Sequence, residues 1–167
     1  MGLIIEKLNK DHKKSDFDCD NELLNNYIQK QAKQDVNRDL SACYILNDNN
    51  DKRVLGYYTL SGNSIGRNEF PIEMIQKMPP SYVNLPTILL GRLAVDKNEK
   101  GKGFGSILLM DALKKCVDIS DSLGVLAVIV DPFDEKAIDF YKKYGFILIP
   151  SNNKMFIPIK TIQDFPK

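Results

Sequence analysis

The stretch from Leu89 to Ser106, LLGRLAVDKNEKGKGFGS, limits what this chain can fold into more than any other. With Ile88 before it, it begins as an apolar strand (Leu89, Leu90, then Leu93, Ala94, Val95). It breaks at a charged turn, Asp96 to Lys100, and passes through Gly101, Gly103 and Gly105 into a long helical pattern. Strand, glycine turn and helix start, in that order, make an anion site. Glycine lets the backbone take positive φ and approach a ligand, and a helix start offers unpaired N–H groups at the positive end of the dipole. Two common glycine loops are excluded. A phosphate loop of the form G-x-x-x-x-G-K-[ST] is excluded because no Lys-Ser or Lys-Thr follows a glycine at that spacing, and a dinucleotide loop G-x-G-x-x-G needs a third glycine where Ser106 stands.

The rest of the chain supplies an α/β frame. Leu3 to Ile5 reads as a first strand. Asn21 to about Gln34 reads as a helix, with Leu23, Leu24, Tyr27, Ile28 and Gln31 at helical spacing and Asp20 or Asn21 as its cap. Ser41–Leu46 and Val54–Leu60 are β-type runs joined by an Asn/Asp-rich turn, a hairpin signal. Gly66 to Tyr82 is a proline-bearing loop with one helical turn around Ile72 to Lys77. Pro86 starts the strand described above, and Gly91-Arg92 in its middle predicts a bulge. A helix then runs from Gly103 to about Ser120, a buried strand from Gly124 to Val130, a helix from Pro132 to Lys143, and closing strands over Phe146–Ile149 and Met155–Ile159. At 167 residues the expectation is a single domain, 1–167.

Charge and residue counts remove several function classes. The net charge is +1, with basic and acidic residues nearly balanced in each third of the chain, so no tail announces a nucleic-acid or membrane partner. The apolar run in Met1 to Lys7 is too short for a signal peptide, and nothing approaches a membrane span; a cytoplasmic location is expected. Cys19, Cys43 and Cys116 are odd in number and far apart, which reads as reduced thiols. His12 is the one histidine. No histidine-based metal cluster can form, so no metal is expected, and Ser-His-Asp or Cys-His catalysis would rest on His12 alone.

From Lys100 to Gly105 the string resembles the [QR]-x-x-G-x-[GA] loop of the GNAT N-acetyltransferases, with Lys100 in the Gln/Arg place. Ala137, Phe140-Tyr141 and Tyr144-Gly145-Phe146 resemble the A-x-x-F-Y-x-x-x-G-F element that follows that loop in the same family. Phe17-Asp18-Cys19, Gly56 to Ser61 and Leu90 to Asp96 resemble the subgroup containing the acetyltransferase toxins of bacterial toxin–antitoxin pairs. The resemblance implies a three-layer α/β GNAT fold, with a central mixed, largely antiparallel sheet, one splayed strand and helices on both faces. It also implies acetyl-CoA as cofactor. Leu93, Ala94 and Val95 would pair with pantetheine and polarise the thioester carbonyl. N–H groups from Gly101, Lys102, Gly103, Phe104 and Gly105 would hold the pyrophosphate, with Ser106 adding a hydroxyl and Lys100 or Lys102 adding charge. Tyr141 is the candidate general acid, and Tyr144 its packing neighbour.

For the acceptor amine the sequence leaves alternatives open. The subgroup's reaction, acetylation of the α-amine of aminoacyl-tRNA with an antitoxin (a ribbon-helix-helix protein) as partner, competes with acetylation of a small amine or a peptide N-terminus. A non-catalytic acyl-CoA-binding domain and a homodimeric assembly are further readings. An α-amine has a pKa near 7.7–8.0, against about 10.4 for lysine, so a site without a histidine base suits α-amines. Arg92 and Glu69 are candidate substrate contacts, with Glu73 a second loop carboxylate. Arg38, Arg67, Arg92, Lys142 and Lys143 are the cations that would have to gather if RNA is bound.

Overall fold

The computed structural model describes residues 2–166. Among them, seven strands form a mixed sheet in the order β1-β2-β3-β4-β5-β7-β6. The strands are β1 (Leu3–Lys7), β2 (Ala42–Asp48), β3 (Val54–Gly66), β4 (Asn84–Val95), β5 (Ala127–Val130), β6 (Ile147–Leu148) and β7 (Met155–Pro158). The helices are α1 (Glu22–Asn26), α2 (Ala32–Asn37), α3 (Ile72–Ile75), α4 (Phe104–Ser120), α5 (Glu135–Lys142) and α6 (Ile159–Gln163). The contacts divide the chain into two compact units. The first takes in Met1–Ser61 and Gly91–Ala112, the second Gly62–Leu90 and Leu113–Lys167.

In the first unit, β1, β2 and β3 form antiparallel ladders, and the register shifts between Leu46 and Asn47. Its core joins Phe17, Tyr27, Ile28, Ala32, Cys43, Ile45, Val54, Tyr57 and Ala94. Asn21 caps α1, accepting from the Leu24 N–H at 3.1 Å, as its sequence position predicts. The predicted single helix is interrupted, however. Tyr27–Gln31 form one π-helical turn, with the Ala32 N–H bonded to Tyr27 O, before α2 continues to Asn37. Such turns gather at functional sites.

The second unit buries Ile65, Phe70, Leu85, Ala127, Ile129, Ile149 and Phe156 together. Here β4 and β5 run parallel from Thr87↔Ala127 to Leu90↔Val130, and β7 pairs antiparallel with both β5 and β6. Several expected boundaries move. β3 extends to Gly66, β4 begins at Asn84, and β5 begins at Ala127 because Gly124 to Leu126 precede the ladder. Ile159 opens α6, a helix its short apolar run gave no period to predict, where continuation of the last strand was expected. Gly91 and Arg92 lie inside the unbroken strand β4. What changes there is pairing: β5 ends opposite Leu90, and β4 runs on to Val95.

One glycine fixes how closely two strands of the first unit approach. A Cβ on Gly56 would lie 2.8 Å from Ala94 O and 2.8 Å from Leu108 Cδ1. A backbone oxygen in a strand cannot step aside cheaply. Gly56→Ala is therefore expected to cost about 1–3 kcal/mol, read by urea denaturation, and to weaken acetyl-CoA binding by displacing Ala94.

Candidate active site

The glycine loop is built by a buried carboxylate that sequence reading passed over. Asp96 follows the last residue of β4, is 2% exposed, and caps the short 3-10 turn Lys97–Glu99 by accepting from the Asn98 N–H at 2.9 Å. Its other oxygen accepts from the Asp18 N–H at 3.2 Å, and its own N–H donates to Leu55 O at 2.9 Å. The pattern Asp96-x-x-Glu99 was the available signal, since an acid three residues past a cap marks a turn entry.

Beyond the turn, Gly101 and Gly103 hold φ of +82° and +80°, a region closed to most side chains. A Cβ at either position would meet nothing within 4 Å. The two glycines therefore answer a backbone requirement and leave open space for a ligand to approach. They deliver the chain into α4, whose first-turn N–H groups, beginning with those of Phe104 and Gly105, have no acceptor inside the helix. The Phe104 ring is buried, so this residue offers the site its backbone alone. An exposed cradle of N–H groups at the start of a long helix fits a diphosphate.

The charges around the loop are compensated in ways the sequence did not show. Lys102 pairs with Glu99 at 2.6 Å, Lys100 with Asp20 at 3.7 Å, and Lys97 with Asp18 at 3.1 Å. Glu99, 5% exposed, also receives Arg53 Nη2 at 2.7 Å; the bonds from Lys102 and Arg53 hold its pKa below the ordinary value. Asp18 is held down to about 2, chiefly by the Asp20 backbone N–H and then by Lys97 and Asn25. A depressed carboxyl contributes stability that is present above its ordinary value near 3.8 and is lost as pH falls toward about 2. Thermal unfolding is accordingly expected to shift down between about pH 4 and pH 2, and the shift should shrink in Asp18→Asn.

Of the three residues before the turn, Ala94 is buried, and Leu93 and Val95 are half-buried. Arg92, expected either as a substrate contact or as half of an ion pair, stacks on an aromatic face: its guanidinium carbon lies 3.6 Å from the centroid of Tyr27. Tyr27 sits on the π-helical turn, stacks on Tyr57 with centroids 6.2 Å apart, and donates its hydroxyl to Asp35 Oδ2 at 2.9 Å. Burial, then the Asp35 bond, push its phenol up to about 12, with Arg92 opposing.

In the second unit, Tyr141 lies on α5, 8% exposed, its ring 5.3 Å from Phe140 and 5.1 Å from Phe146. Asp134 caps this helix through the Ala137 N–H at 2.8 Å, and Gly145 (φ +96°) turns the chain after it. Burial pushes the Tyr141 phenol up, so it is protonated across the physiological range. Tyr144 is half-buried, 5.4 Å from Phe140. Glu69 is occupied as a loop tie: Oε2 accepts from the Gly66 N–H at 3.0 Å and Oε1 from Asn152 at 2.6 Å. Glu73 is exposed. Arg67 donates to Pro79 O, Ile75 O and Met78 O. It holds the loop together and is not available to a basic patch.

His12 is buried. Its Nδ1 accepts from the Asn9 N–H at 3.0 Å, which leaves the proton on Nε2, 3.0 Å from Glu6 Oε2. Cys43 and Cys116 are buried and Cys19 half-buried, all free thiols. Among the described residues no His/Cys/Asp/Glu group could hold a metal ion, and no helix is long and apolar enough to cross a membrane.

Comparison with known proteins adds an independent line. Residues 4–146 match the acetyltransferase (GNAT) family. The chain is 36% identical over 129 residues to a tRNA-acetylating toxin of Mycobacterium tuberculosis, covering 77% of this chain and 75% of that protein. It is similar to AtaT in a solved complex with acetyl-methionyl-tRNAfMet (34% identity, 96% and 97% of the two chains, TM-score 0.90). It is also similar to a tyrosine-to-phenylalanine mutant of the AtaT toxin bound to the C-terminus of the antitoxin AtaR and acetyl-CoA (31% identity, 98% and 97%, TM-score 0.82).

Proposed function

This chain belongs to the GNAT acetyltransferase family, and on that footing we propose that it transfers acetyl from acetyl-CoA to the α-amine of aminoacyl-tRNA. The reading carries with it a cytoplasmic location, a single catalytic domain over 1–167, and a small antitoxin as restraining partner. The observation that carries the acceptor is the similarity over nearly the whole chain to AtaT in its complex with acetyl-methionyl-tRNAfMet, joined by the relative named for tRNA acetylation.

The residues take these roles in the proposal. Backbone N–H groups from Gly101 to Gly105 bind the diphosphate, aided by Ser106, while Leu93, Ala94 and Val95 present backbone to pantetheine and to the carbonyl oxygen as charge grows on it. Acetyl-CoA supplies the activated acyl group. Forming the amide N–C bond releases one proton from the neutral amine to water, which later restores the phenol, and breaking the C–S bond calls for one at sulfur. Tyr141 gives that second proton. Its buried phenol is held protonated, and the desolvation that does so also raises the proton affinity of a departing thiolate. Lys100 and Lys102 bring a smaller contribution than their charge alone implies, being already paired with Asp20 and Glu99. Arg92, stacked on Tyr27, is the proposed contact to the acceptor. Glu69, with both oxygens engaged, shapes the loop.

The test is acetyl transfer from labelled acetyl-CoA to total charged tRNA beside a panel of small amines and N-terminal peptides. Label that appears on charged tRNA and stays with the aminoacyl group is the expected result. Transfer to small amines or peptides with none to charged tRNA would assign the enzyme to the competing acceptor class. Co-expression with an adjacent antitoxin gene, relieving growth arrest, would support the partner.

A further inference from the structure

Within a near-zero net charge, the segment after β1 gathers cations that enter no ion pair among the described residues. From the last residue of β1 onward, over positions 7–14, the chain carries Lys7, Lys10, Lys13 and Lys14 against one acid, Asp11. The fold sets part of this segment against α2. Lys10 and Lys14 from the loop and Lys33 from the helix line a cavity of about 260 Å³, together with Asn37 and with Leu8 and Val36 as apolar lining. No carboxylate lines it.

The contrast with the glycine loop is informative. There, Lys97, Lys100 and Lys102 each meet an acid. Among the described residues, Lys10, Lys14 and Lys33 enter no ion pair. Lys14 is half-buried as well, so its aliphatic stem is partly covered at the cavity wall. Two acids nearby, Asp35 and Glu6, are turned to other tasks. Asp35 on α2 accepts from the Tyr27 hydroxyl, and Glu6 is taken by His12, Asn47 and Lys52. His12, which also lines the cavity, holds its one ring proton toward Glu6.

The groove lies close to the strand proposed to meet the acceptor. The Leu8 N–H donates to Cys43 O at 2.9 Å, and Cys43 packs in one core cluster with Ala94 and with Tyr27, the ring that carries Arg92. Lys14 and Arg92 both act on the Cys43 thiol, each opposing the burial that pushes it up to about 12.

We propose that the groove formed by Lys10, Lys14 and Lys33 binds the phosphodiester backbone of the tRNA whose aminoacyl end is acetylated. This rests on the acceptor assigned above. A phosphate backbone fits because it needs point charges and amide donors with no demand for base-specific geometry, and that is what the three lysines and Asn37 offer.

The experiment compares the wild-type chain with the triple variants Lys10→Glu/Lys14→Glu/Lys33→Glu and Lys10→Arg/Lys14→Arg/Lys33→Arg. Binding of deacylated bulk tRNA is measured over a KCl series, and acetylation is measured on charged tRNA and on an aminoacyl ester of adenosine. The Glu variant is expected to bind tRNA about 30-fold or more weakly, with the slope of log K against log [KCl] reduced by about 2 to 3. Its acetylation of aminoacyl-adenosine should stay within about twofold of wild type, and the Arg variant should keep both affinity and slope. A Glu variant with the wild-type slope overturns the groove assignment, as does one that loses polyglutamate binding while keeping tRNA, which would give the groove to an acidic protein. If the wild-type chain acetylates neither charged tRNA nor aminoacyl-adenosine, the acceptor assignment itself falls.

Discussion

Tyr141→Phe is expected to lower kcat by about 10²–10⁴-fold while leaving the affinity for acetyl-CoA nearly unchanged. The reasoning separates ring from hydroxyl. The ring packs against Phe140 and Phe146, and phenylalanine keeps those contacts, so folding should survive. What is removed is the proton donor. Burial is what holds that proton on the phenol; a raised pKa means the acid form persists further into the alkaline range than for an exposed tyrosine, where the ordinary value is about 10. Single-turnover transfer and equilibrium binding of acetyl-CoA, measured side by side, divide the two effects. Turnover equal to wild type would leave Tyr141 as a packing residue. Tyr144→Phe is the companion variant, and it should retain activity.

Gly103→Val is expected to weaken acetyl-CoA binding by about 10²-fold or more, since losing two charge-assisted N–H bonds to phosphate accounts for that much. The cause lies in the backbone. At φ +80° a β-branched side chain is strained, and the loop relieves the strain by turning its N–H groups away from their common focus. Steric overlap is not the reason, because a Cβ at this position would meet nothing within 4 Å. The melting temperature should therefore fall by less than about 8 °C. Gly124→Ala, with equally open surroundings and no positive φ, should alter neither property. Wild-type affinity in the Gly103 variant, read by calorimetric titration, would remove the loop from the cofactor site. The Gly56 variant offers the converse case, in which space and not φ is limiting.

The arrangement around the loop explains why an almost neutral chain can hold a highly charged ligand. Its lysines are anchored by Asp18, Asp20 and Glu99, so in the proposed site anion recognition would fall to backbone N–H groups and the helix start, whose partial charges are fixed by geometry. Lys10, Lys14 and Lys33, which enter no ion pair among the described residues, line a cavity elsewhere, between the loop after β1 and α2.

How much of this was readable beforehand follows from the range of the interactions involved. Local signals were legible: the Asn21 cap and the glycine turn into α4 are decided within a few residues, and each appears where the sequence put it. The family motifs were equally local. Long-range partners were not legible. Nothing in the neighbourhood of Arg92 announces Tyr27 beneath it, nor does Asp96 announce its bond to the Asp18 N–H. Glu69 looked like a free loop carboxylate until Asn152 met it.

By itself, then, the sequence determined the order of the strands, the phosphate-type loop and the acetyltransferase family, because these depend on periodicity, glycine φ and short motifs. Only the tertiary structure decided which charges neutralise each other and which stay open. That follows from Coulomb interactions acting over distances in space, while a sequence records distances along the chain.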